Sequence, residues 1–143
     1  MKNLYFIIMV IGSILVGCGG GTNKGQTATN MSNNDYILHN AFENKQNNLQ
    51  VQGSGTVIKL LPDDTTGSQH QRFILKLSSG QTLLITHNID LSTRIDTLRV
   101  NDSIEFYGEY EWNEKGGVIH WTHDDPNANH TNGWLKHNGI IYK

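Results

Sequence analysis

The chain is 143 residues long, with 11 Lys+Arg against 13 Asp+Glu, 7 His and a formal net charge of −2. That length fits one small domain, and the weakly acidic balance excludes a broad basic field for nucleic acid or anionic lipid; Lys59, Arg72, Lys76, Arg94 and Arg99 remain to form a local patch. A single cysteine excludes an internal disulfide, so the fold must stand on its core or on a metal.

Lys2 supplies a positive charge ahead of an apolar run from Leu4 to Val16, broken only by Gly12 and Ser13. The run is too short to cross a bilayer as a helix, which takes about 20 residues, and it ends in the small residues a cleavage site requires. Leu15-Val16-Gly17-Cys18 resembles the bacterial lipobox. The resemblance implies cleavage before Cys18 and lipidation of its thiol. Gly19, in place of aspartate, implies an outer-membrane address facing the periplasm in a Gram-negative cell. Two or three acyl chains on one residue make a stable anchor. Residues 1–17 are therefore expected to be a lipoprotein signal peptide, and the membrane a partner through the N-terminal lipid. Residues 18–34, mostly glycine, threonine and asparagine, read as a flexible tether, and residues 35–143 as a single domain.

Within residues 35–47, Ile37, Leu38, Ala41 and Phe42 fall near helical spacing, which predicts a short amphipathic helix capped by Asn34 or Asp35. From Val51 the pattern changes to strands. Residues 55–61, 72–77 and 81–87 are short, β-branched and apolar, with a tight turn at Ser78-Ser79-Gly80 between the last two. Residues 89–98 suggest a short helix or helical turn carrying Leu91, Ile95 and Leu98 on one side. Residues 103–112 alternate: Ile104, Phe106, Gly108, Tyr110 and Trp112 share one face, and Glu105, Tyr107, Glu109 and Glu111 the other. After a turn at 113–117, residues 117–123 read as a fifth strand.

The order β-β-β-α-β-β predicts a mainly β fold, a small five-stranded OB-like barrel with a short N-terminal helix and a short helical element between strands 3 and 4. An interior glycine such as Gly108 suits a sharp bend or a close backbone approach. An open antiparallel sheet capped by the N-terminal helix is the alternative.

PDDTTGSQHQRF (62–73), GQTLLITHNIDLSTRI (80–95), FYGEYEWNEKGGVIHWTHDDP (106–126) and GWLKHNGIIY (133–142) closely resemble a bacterial family catalogued as domain of unknown function 3465. The resemblance spans roughly residues 50–143 with the preceding helix, and it brings no mechanism with it. The layout is also similar to thermonuclease-like OB-folds, which carry Gly-Ile-Asp-x-Pro-Glu after the third strand. Here Asn88-Ile89-Asp90-Leu91-Ser92-Thr93 stands there, so of the motif's two carboxylates only Asp90 is matched, and the proline and glutamate are lacking.

The densest polar cluster runs from His120 to His137. His120, His123, Asp124, Asp125, His130 and His137 are candidate ligands for a divalent metal ion, the possible cofactor. His120 and His123 point to opposite faces of a strand, so both reach one ion only if the strand has ended by His123. Solvated loop histidines are the bland reading. A second cluster gives candidate catalytic residues: Asp63, His70, Arg72, His87 and Asp90, joined by His120. Its bland reading has Asn88 and Asp90 capping the next turn, with His87 hydrogen-bonded beneath them and Arg72 and His70 paired with the acidic loop. Trp112, Trp121, Trp134, Tyr107, Tyr110 and Tyr142 suit either core packing or stacking on a ligand. Glu105, Glu109 and Glu111 would repel a phosphate backbone, which makes nucleic acid unlikely at that face.

Two functions are therefore expected. The first is an envelope binding module whose His/Asp-rich rim takes a polar ligand, a metal ion or a partner protein. The alternative is a metal-assisted hydrolase of the phosphodiesterase or nuclease kind. A dinucleotide fingerprint, a phosphate-cradling glycine loop and a nucleophile elbow are all missing from the sequence.

Overall fold

The computed structural model describes residues 31–143; Cys18, the expected signal peptide and most of the expected tether lie outside them. In chain order the elements are α1 (Asn33–Glu43), β1 (Leu49–Asp64), β2 (His70–Lys76), β3 (Thr82–Asn88), β4 (Ser103–Glu111), β5 (Val118–His120), β6 (Trp134–His137) and β7 (Ile140–Tyr142). Among the described residues no helix is long and apolar enough to cross a membrane.

Helix α1 starts earlier than the apolar spacing predicts because Ser32 is the cap, its side chain accepting from the Asp35 amide. Asp35 has a different task. Its carboxylate sits in the first turn, buried, and accepts from Ser78 Oγ and from Ser79 N at 3.0 Å. The helix ends at Glu43, with Lys45 turning left-handed at φ 51°. Leu38 and Ala41 are its buried face.

All strands belong to one sheet, ordered β1-β2-β3-β5-β4-β6-β7, with a further pairing between β1 and β4. Strand β1 is long enough to serve two neighbours. Leu49 to Thr56 pairs with β4, and Thr56 to Asp64 pairs with β2. Its inner residues join Phe73, Leu75, Leu83, Ile85, Ile104, Phe106, Tyr110, Ile119 and Leu135 in one buried core. Each such large side chain contributes about 1.5–3 kcal/mol by leaving water.

The sheet has seven strands where five are expected. The additional pair, β6 and β7, is a hairpin turned at Asn138 (φ 50°) and Gly139 (φ 80°), the positive dihedrals of a two-residue type I′ turn. Strand β5 is shorter than expected because Trp121 takes φ 53° and leaves the ladder.

Of the short helix or helical turn expected over residues 89–98, only isolated turns form, the first closed by Ser92 N donating to Asn88 O at 3.2 Å; no helix follows. Gln71 on β2 explains the difference. Its amide accepts from Ile95 N at 2.8 Å and donates to Ile95 O at 3.0 Å, so a buried side chain takes both backbone groups that a helix would have used. Asn88 Oδ1 accepts from Asp90 N, which begins a turn, not a helix.

Candidate metal centre

Strand β4 presents Glu105, Tyr107, Glu109 and Glu111 on the face opposite the core. Register then decides what each meets. Glu109 lies across from His120 on β5 and from Gln50 on β1, and Glu105 lies across from Lys136 on β6. Lys136 Nζ sits 3.0 Å from Glu105 Oε1, an ordinary surface pair.

Glu109, Glu111 and His120 are a different matter. One ligand atom from each lies within 4.8 Å of the others, the geometry of groups able to hold one metal ion. His120 Nε2 is 3.3 Å from Glu109 Oε1 and 4.0 Å from Glu111 Oε1, yet it is shielded from solvent and makes no well-aligned hydrogen bond. Gln50, opposite Glu109, likewise has an amide nitrogen and oxygen that are shielded and unpartnered. Glu111 also accepts from Asn48 N at 3.1 Å, which fixes its carboxylate against the chain entering β1. Burial pushes the His120 pKa below its ordinary value, against the raising influence of Glu109 and Glu111.

A loop of residues 121–133 closes over this centre. Asp125 organises it, accepting from the amides of Asn127, Asn129 and His130, and these bonds hold its carboxyl below the usual range. His130 Nε2 lies 2.8 Å from Glu109 Oε2, and its ring stacks on Trp121 at 4.0 Å and 9°. Burial acts against a charged His130, but the bond to Glu109, the Thr131 carbonyl and the Glu109 and Asp125 charges outweigh it and raise its pKa. Gly133 lets the loop return. A Cβ there would stand 1.9 Å from the Trp121 carbonyl oxygen.

Of the six candidate ligands, His120 is in this centre and His130 beside it. His123 is buried with Nδ1 2.7 Å from Asp124 O, Asp124 faces Lys143 at 3.6 Å, and His137 is buried on Asp102 at 2.8 Å. Glu109 and Glu111 are not among the ligands expected from the sequence, where they figure only as a row that would repel a phosphate backbone. The signal that identifies them is two carboxylates two residues apart on a strand, with a histidine strand following one turn later.

The six candidate catalytic residues divide. His70 and His120 line a groove of ≈ 300 Å³ with Ser68, Asn88, Trp121 and His123. Asp63 and Arg72 line another, where Asp63 is paired with Arg94 at 2.8 Å and Arg72 donates to Pro62 O. Asp90 accepts from Gln69 N, and His87 is wholly buried. No aspartate lines the histidine groove.

A family model described as a protein of unknown function (DUF3465) matches residues 23–143. No curated protein matches the chain.

Proposed function

We propose, for a chain that belongs to the DUF3465 family of proteins of unknown function, that it is a binding module for a divalent transition-metal ion, held by Glu109, Glu111 and His120. One observation carries the reading: three ligand atoms lie within 4.8 Å of one another, with the His120 nitrogen lacking any other partner. Two carboxylates and an imidazole suit zinc, cobalt or manganese better than magnesium or calcium, which favour oxygen alone. The ion would offset the repulsion between Glu109 and Glu111 and satisfy the orphaned nitrogen. The rim is therefore histidine and glutamate in character, not histidine and aspartate.

The setting we propose is the cell envelope, with Cys18 lipidated and the domain tethered off the membrane, on the strength of Leu15-Val16-Gly17-Cys18. The sheet in this reading is an OB-like closed barrel of β1 to β5, supported by the pairing of β1 with both β2 and β4 and by the parallel β3–β5 pair. Binding is preferred to hydrolysis because Asp63 and Arg72 line a different cleft from His70 and His120.

Calorimetric titration of the full-length protein in detergent with Zn²⁺, Co²⁺ and Mn²⁺ tests the centre. One ion per chain is expected, and E109Q, E111Q and H120A are each expected to lose about 10–100-fold or more in affinity. Wild-type protein that takes up none of the three ions at millimolar concentration removes the reading.

A further inference from the structure

We infer that His130 is a fourth ligand of the same centre, so that a bound ion clasps the 121–133 loop onto β4. The inference rests on the three-ligand reading and adds to it a residue that decides coordination number and metal choice.

The geometry around Glu109 supports it. One carboxylate oxygen faces His120 Nε2 at 3.3 Å and the other faces His130 Nε2 at 2.8 Å, so a single side chain stands between two imidazoles. His130 is also oriented as metal-ligating histidines are. Its Nδ1 lies 2.8 Å from the Thr131 carbonyl oxygen, which leaves Nε2 as the nitrogen presented to the carboxylates. A ligating imidazole almost always donates its other N–H to a carbonyl, carboxylate or water. Two further contacts fix the ring. Trp121 stacks on it at 4.0 Å, and Asp125 holds its backbone amide at 2.9 Å.

Trp121 directly follows His120 and turns out of β5 at φ 53°. A non-glycine residue held in that region is a local cost that the surroundings must impose. Here the turn places the indole against the His130 ring, and so ties the loop's far end to its beginning. An ion bound there would draw the His130 imidazole off Glu109 to join His120, Glu109 and Glu111 around one position. That is a four-coordinate set for zinc or cobalt, with nothing in it that favours calcium.

Full-length protein is titrated with Co²⁺ alone, whose visible absorption reads coordination number, and then with Zn²⁺ in competition. Wild type is expected to give the strong absorption of four-coordinate cobalt and a change in tryptophan fluorescence. H130A and H130Q are expected to give a weaker, higher-coordinate spectrum, to lose about 10–100-fold in affinity and to leave the fluorescence unchanged on metal addition. H39A, on the exposed face of α1, should match wild type. Melting curves of the metal-free variants separate lost ligation from lost folding, and H130Q keeps an amide donor toward Glu109. If wild type binds while both His130 variants keep its affinity and spectrum, the fourth ligand is overturned and the three-ligand centre stands. If wild type binds neither ion, both fall.

Discussion

His87 Nδ1 lies 2.8 Å from Thr122 Oγ1, and both residues are wholly buried. The second ring nitrogen, Nε2, faces the Thr93 carbonyl oxygen at 3.3 Å. These partners assign a neutral imidazole, with Nε2–H donating to Thr93 and Nδ1 accepting from the Thr122 hydroxyl. Desolvation dominates the Thr93 and Thr122 carbonyls and, with His123 and His70 nearby, lowers the pKa from 6.5 to about 4. The unfolded chain therefore binds a proton below 6.5 that the folded chain refuses until about 4. Stability from this group is present in full above pH 6.5 and is lost as pH falls through that window, by about 3 kcal/mol at about 1.4 kcal/mol per unit. Proton NMR should follow the His87 ring titrating near 4, with urea midpoints falling between pH 7 and 4.5. A ring titrating at its ordinary value sinks the prediction.

Gly108 sits on the core face of β4, directly behind the row of glutamates. A Cβ there would meet the His120 carbonyl oxygen at 2.5 Å and Thr122 Cγ2 at 2.9 Å. Gly108→Ala must therefore push β5 away from β4. Overpacking of this kind costs about 1–3 kcal/mol. Because His120 moves with β5, metal affinity should fall along with stability, which calorimetry and thermal melting read together. An alanine variant as stable as wild type contradicts the contact.

Asp35 anchors α1 to the turn between β2 and β3. Asp35→Ala leaves the Ser78 hydroxyl and the Ser79 amide without their acceptor, at a cost of about 1–3 kcal/mol. Hydrogen exchange should quicken in α1 first, ahead of β2 and β3. Equal acceleration across all three would show that the carboxylate does not dock the helix.

Gln71→Leu should free the segment after β3. The buried Ile95 N–H would be left without a partner, and the Ile95 carbonyl would keep only Leu98 N at 3.3 Å. Unmet buried groups cost about 1–3 kcal/mol each. The variant is expected to unfold at lower urea, with residues 89–100 newly open to limited proteolysis. A leucine variant with unchanged cleavage would argue that other contacts hold the segment.

Strand β4 was fully legible in the sequence, because its alternation sorts Ile104, Phe106 and Tyr110 from Glu105 and Glu109 without knowledge of any partner. Asn138-Gly139 carried the β6–β7 hairpin just as locally, but the flanking strands are too short for their alternation to stand out. The segment after β3 was legible only as far as its first turn. Its apolar spacing is helical, and what overrides it is a glutamine 24 residues away in sequence. The candidate centre divides the same way. His120 and His130 are visible as metal-ligand types, whereas Glu109 and Glu111 acquire meaning only from the register that sets Glu109 opposite His120.

The double pairing of β1 has a consequence for the order of folding. Asn48 and Glu111 hydrogen-bond across 63 residues of sequence, while Glu109 and His130 meet across 21. Long separations carry a larger loop-closure entropy and form slowly. The β4–β5 hairpin and its following loop can thus assemble while β1 is still searching for its second neighbour. The proposed ligands Glu109, Glu111, His120 and His130 all lie on that fast-closing stretch, so an ion held by them would join residues that meet before the sheet is complete.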